Sequence, residues 1–128
     1  MNADTNTAHD PENPYVDLAV EVFTMLADAT RVRIILALRD DELSVNHLAD
    51  IVDRSPAAVS QHLAKLRMAR IVNTRHEAQR VFYSLTNEHA IQLVTDAIYQ
   101  AEHSVDDTPT HHRPMRPRAV EDTAARRA

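Results

Sequence analysis

Residues 55–70 read SPAAVSQHLAKLRMAR, from Ser55 to Arg70. Ser55 is suited to cap a helix, and Pro56 at the first helical position has no N–H to waste there. Val59, Leu63 and Leu66 then recur at helical spacing and mark a face to be buried. The opposite face carries Ser60, Gln61, His62, Lys65 and Arg67, with Ser55 and the small Ala57 in the leading turn. A helix laid into a DNA major groove needs short hydrogen-bonding groups for base edges, with cations behind them for phosphates. An ordinary amphipathic surface helix is the alternative, and the flanking sequence decides between the two.

Upstream, Val45 to Val52 forms a short helix, α3, capped by Ser44, with Leu48, Ala49 and Val52 apolar. Asp53 and Arg54 make a tight turn from it into α4, the helix within 55–70. Two helices joined by so short a turn match a helix-turn-helix. Before them, α2 (Arg31 to Arg39), capped by Asp28 or Thr30, offers Val32, Ile34, Ile35, Leu36 and Leu38. The first helix, α1 (Tyr15 to about Ala27), carries a stripe at Val16, Ala19, Val22, Phe23 and Leu26.

Downstream the period changes. Ile71 to Arg75 (β1) and Arg80 to Leu85 (β2) are β-rich and read as a hairpin. Its connection lacks the Gly or Asn-Gly that tight hairpins favour, so a longer, looser loop is expected. Asn87 then caps α5, Glu88 to about His103, with a seam at Ala90, Ile91, Val94, Ala97, Ile98 and Ala101. The expected fold is mainly α with a small β-hairpin, a winged helix-turn-helix in the order α1-α2-α3-α4-β1-β2-α5. Nothing in the wing can bury the α1 stripe and the α5 seam together, so a dimer through α1 and α5 is the economical arrangement. The alternative is that both stripes pack within one chain. Residues 15–103 form the domain. Polar residues 1–14 and the Pro-, Arg-, Thr- and His-containing 104–128 read as disordered tails.

The net charge of −5 over 128 residues conceals a segregated distribution. Residues 1–53 carry −8, residues 54–80 carry +5 and residues 81–128 carry −2. The positive block coincides with α4 and the hairpin, as a phosphate footprint would. Arg75 and Arg80 place two of its cations on the wing. Without Cys there is no disulfide, thiolate nucleophile or thiolate metal site, and without Gly there is no phosphate-cradling loop. No nucleophile–base pair or paired carboxylate is placed by motif, so no enzyme and no small-molecule substrate is expected. The lack of a long apolar run and of a signal peptide points to a cytoplasmic protein with no membrane partner.

Eight histidines are many for this length. His89 and His103 lie two heptads apart near one face of α5, roughly 21 Å apart along it, so one chain cannot bring both to one ion. Two antiparallel copies of α5 would set His89 of one chain beside His103 of the other. Glu102 adjoins that site, and His111 and His112 are near enough in sequence to close it. Such a set suits Ni(II) or Co(II), or Zn(II). Scattered surface histidines are the alternative.

LADATRVRIILAL, LSVNHLADIV, SPAAVSQHLAKLRMARIVNTR and VFYSL resemble the ArsR/SmtB metalloregulators, dimeric winged-helix repressors that metal releases from DNA. The likeness runs from about Val16 to His103 and is greatest to the nickel- and cobalt-sensing branch. It implies control of metal efflux or homeostasis genes from an inverted-repeat operator. Soft-metal sensors of the family place Cys in the third helix, where this chain has Ser44-Val45-Asn46-His47-Leu48. The family's zinc-type site expects Asp-x-His and a second spaced pair. Here Asn87-x-His89 and Gln100-x-x-His103 lack two of those four ligands. The nickel/cobalt pattern is instead present at His89, Glu102, His103, His111 and His112.

Overall fold

The protein is described by a computed structural model covering residues 8–105. Its elements are α1 (Val16–Leu26), α2 (Ala29–Ala37), α3 (Val45–Val52), α4 (Pro56–Met68), β1 (Val72–Glu77), β2 (Arg80–Leu85) and α5 (His89–Val105). The chain divides after Ile91 into two units, the first holding the winged helix.

Three caps start the inner helices. The Asp28 carboxylate accepts from the Arg31 N–H at 3.0 Å, Ser44 Oγ from His47 at 3.3 Å, and Ser55 Oγ from Ala58 at 3.1 Å. Asp28 therefore caps α2, and Thr30 lies buried inside its first turn. Asp53, left-handed at φ 57°, ends α3 and turns the chain into Ser55 and α4. Arg70 closes α4 in the same region at φ 65°. Ile71 N–H reaches back to Leu66 O at 2.9 Å and Arg70 N–H to Arg67 O at 2.9 Å, a Schellman closure.

The core is the set of apolar positions that the three helices turn toward one another. Ile34, Ile35 and Leu38, then Leu48, Ala49 and Val52, then Val59, Leu63 and Leu66 are all buried. Helix α3 packs on α4, α2 on both, and the hairpin against α3 and α4. Helix α2 ends two residues before the expected Arg39, and Leu36 is exposed. A helix of 9 residues turns only one side to the core, and Leu36 lies off it.

The hairpin corrects the expectation of a loose loop. Glu77 pairs with Arg80, leaving a connection of only Ala78 and Gln79. Ala78 adopts φ 57°, the conformation for which glycine is preferred. Strand β1 runs on through His76 and Glu77, so ladder pairing outweighs the local cost. Leu43 adds an isolated antiparallel bridge to β2, exchanging hydrogen bonds with Tyr83 at 3.0 and 2.8 Å.

Residues 10–15, expected to lie in or beside a disordered tail, carry turn bonds such as Asn13 N–H to Asp10 O at 2.9 Å. Helix α1 has no fully buried residue, and Val16, Leu18, Val20 and Phe23 are exposed. In α5, Ala90 and Val94 are buried, whereas Ala97, Ile98 and Ala101 are exposed in the single chain. No helix among the described residues is long and apolar enough to cross a membrane.

The Asp28 cap has a pH signature. The Arg31 N–H, aided by His62 and the Arg31 charge, holds its carboxyl below the ordinary value of 3.8. A carboxylate depressed in the folded state stabilises fully above its unfolded pKa of about 3.9, and that contribution fades as pH falls through the folded value. Asp28→Ala should cost about 1 kcal/mol near neutral pH and far less at strongly acidic pH. Urea midpoints at the two pH values measure the difference, and an equal cost at both would contradict it.

Candidate nucleic-acid interface and metal ligands

Buried Val59, Leu63 and Leu66 fix the rotation of α4, and that rotation settles what its outer face presents. Ser60, Gln61, Lys65 and Arg67 are exposed, as are Ser55 and Ala57 in the leading turn. Ser60 and Arg67, seven residues apart, share one line along the helix about 10 Å long. His62 is placed differently. Its side chain is half-buried, with Nδ1 3.9 Å from the Asp28 carboxylate, so it links α4 to the start of α2.

The two wing arginines also part company. Arg75 is clamped: Nε donates to both Glu42 oxygens at 3.0 and 3.1 Å, Nη2 lies 2.9 Å from Oε1, and Nη1 donates to Glu77 at 3.1 Å. Those carboxylates raise the guanidinium's pKa above its usual value. Arg75 also lies 5.0 Å from the Phe82 ring centre, and Arg80 lies 5.3 Å from the same centre. Among the described residues no carboxylate pairs with Arg80. Glu42 and Phe82 were not singled out in the sequence. Glu42 stands 33 positions before its partner, outside the basic block whose charge it reduces. Phe82 could have been found by register, since it faces Arg75 directly across the hairpin. Arg70 was likewise passed over as a contact. With Arg67, Asn73, Thr74 and Thr86 it lines an open groove of about 560 Å³ at the exit of α4.

The candidate metal ligands lie on or beyond α5. His89 begins the helix, exposed, its N–H donating to the Asn87 side chain at 2.9 Å as expected of a cap. Glu102 is half-buried and His103 exposed in the last turns. His111 and His112 lie outside the described residues. No group of three or more His, Cys, Asp or Glu able to hold a metal ion occurs among the described residues of one chain.

Residues 28–74, from the α2 cap to the first rungs of the wing, match the profile of the bacterial regulatory protein, arsR family. The chain is 53% identical over 113 residues to the HTH-type transcriptional regulator KmtR of Mycobacterium tuberculosis, covering 88% of this chain and 86% of that one. It belongs to the ArsR/SmtB family of helix-turn-helix transcriptional regulators. Membership in this family makes it a DNA-binding regulator rather than a catalyst. It is also 46% identical over 76 residues to the transcriptional activator HlyU of Vibrio cholerae, covering 59% of this chain and 70% of that one. Among solved structures it is similar to NolR from Sinorhizobium fredii, with a TM-score of 0.62 and 31% identity, over 72% of this chain and 92% of that one. The winged-helix order of the ArsR/SmtB chain is thus as expected.

Proposed function

We propose that this chain is a metal-responsive repressor that binds an inverted-repeat operator as a homodimer and leaves it on taking up Ni(II) or Co(II), with Zn(II) as the alternative. One observation carries the reading. A match of 113 residues within 128 necessarily spans positions 16 to 113. The kinship with KmtR therefore extends past the winged helix to the whole stretch holding His89, Glu102, His103, His111 and His112.

The dimer reading is supported by the apolar surface of α1 and the outer half of the α5 seam, both exposed in one chain. Removing such surface from water favours association. Antiparallel α5 helices would give two equal sites, each taking His89 from one chain and Glu102 with His103 from the other. In the operator complex α4 would enter the major groove. Ser60 and Gln61 would face base edges, and Lys65, Arg67 and the wing would face phosphates.

The test is a gel shift of the metal-free protein on the DNA upstream of its own gene, repeated with Ni(II), Co(II) and Zn(II). Tight binding released by nickel or cobalt is expected. Tight binding that no metal changes would leave a winged-helix regulator under other control. Because HlyU is an activator, a promoter reporter checks the sign: deleting this gene should raise expression, and a fall would overturn repression. Gln61→Ala should weaken operator binding by roughly 1–3 kcal/mol and relax preference at one base position. Wild-type affinity and preference in that variant would misplace the reading face.

A further inference from the structure

We propose that the two wing arginines have separate tasks: Arg80 is the phosphate-directed cation, Arg75 is an internal strut, and Glu42 and Phe82 are the positioning residues that keep the tasks apart. This rests on the DNA-binding reading above and assigns work within it.

Register sets the arrangement. Glu77 faces Arg80 and Phe82 faces Arg75, so these four side chains share one face of the hairpin. Direct opposition would favour a Glu77–Arg80 pair, yet Glu77 is spent on Arg75 Nη1 at 3.1 Å. Glu42 takes the other edge of the same guanidinium with two oxygens. Arg75 thus lies between two carboxylates, and the three groups together carry a net negative charge. Turning Arg75 to a phosphate would exchange one anion for another and strand Glu42 and Glu77 beside the DNA backbone. Electrostatics oppose that move.

Arg80 has the opposite setting. It is exposed next to the two-residue turn, about 7 Å nearer the tip than Arg75. Among the described residues its partner is the Phe82 ring, which orients a guanidinium without satisfying its N–H donors. The strut also has a clear mechanical role. Glu42 immediately precedes Leu43, whose two backbone bonds to Tyr83 join the α2–α3 connection to the wing. The Glu42–Arg75 pair and this bridge hold the same junction, so the direction of the wing depends on both.

The experiment measures binding of the full chain to a random-sequence duplex as salt is varied, together with amide hydrogen exchange of the protein alone. Arg80→Ala should lower the slope of log K against log salt by about 0.9, the value for one lost phosphate contact. Glu42→Gln, and Arg75→Ala made together with Glu77→Gln so that no freed carboxylate captures Arg80, should leave that slope undiminished but speed exchange at the Leu43 and Tyr83 amides. Arg75→Lys should restore neither protection nor geometry, since a lysine cannot form the two-edged contact. Adding Glu42→Gln to Arg75→Ala should have no further effect on exchange, because without the guanidinium Glu42 has no strut left to lose. A slope that falls in Arg75→Ala with Glu77→Gln as it does in Arg80→Ala would overturn the division of tasks. Unchanged exchange in Glu42→Gln would overturn the strut. Failure of the wild-type chain to bind any duplex would instead defeat the DNA-binding reading, and the exchange measurement would still judge the strut.

Discussion

Leu63→Ala should destabilise the winged-helix domain by about 2–5 kcal/mol, a large part of the roughly 5–15 kcal/mol that keeps a domain folded. Leu63 is fully buried at the centre of the α4 inner face, between Val59 and Leu66. Truncation there removes three carbons' worth of burial and leaves a void that close-packed neighbours fill only in part. Leu36→Ala is the internal control. It is the same chemical change in α2, at a side 39% exposed, and should cost well under half as much. Urea midpoints compare the two, and DNA binding of Leu63→Ala should fail at a lower temperature. Equal costs would mean that α4 is not seated on its apolar face as described.

The second large effect concerns the inducer. If nickel or cobalt releases the wild-type protein from DNA, His103→Ala and His89→Ala should bind DNA normally yet ignore the metal. By linkage, metal must weaken DNA binding by the factor by which DNA weakens metal binding, with typical couplings of roughly 1–3 kcal/mol. In the variants that factor should approach one, since the proposed cross-chain site would lack a ligand from one side. Binding of metal should also fade as pH falls through the histidine range, since a protonated imidazole cannot coordinate. Truncation after Thr108, which removes His111 and His112, should weaken the response without abolishing DNA binding. Isothermal titration of metal into protein and protein–DNA complex measures the coupling from both directions. An unchanged metal response in His103→Ala would sink the cross-chain site, and an unchanged response in the truncation would remove only the tail histidines.

What the sequence revealed and what it hid divide along a physical line. Val59, Leu63 and Leu66, or Leu48, Ala49 and Val52, announce their burial because helical spacing is a local property and three amphipathic neighbours suffice to bury it. Ser44, Ser55 and Pro56 are equally local, and the caps lie where those residues stand. The features that escaped depend on parts of the chain that meet only after folding. A segmental charge count credits Arg75 to the basic block, but it cannot foresee that Glu42 arrives from a separate loop and pairs with it. His62 shares the outer half of a helical wheel with Gln61, yet the cap of α2 comes to rest beside it. The tight turn at Ala78 was hidden for another reason: the expected signal is a glycine, and strand pairing on either side imposes the turn without one.

That absence has a consequence for the unfolded chain. Asp53, Arg70 and Ala78 all occupy backbone conformations that glycine would enter without strain. An L-residue there gives up about 1–2 kcal/mol in the native state. The same residues roam over fewer conformations when the protein is denatured, and a non-glycine side chain recovers about 0.4–1 kcal/mol through that smaller entropy loss. A chain with no glycine anywhere therefore enters folding from a narrower ensemble, and part of its native strain is offset before a single contact forms.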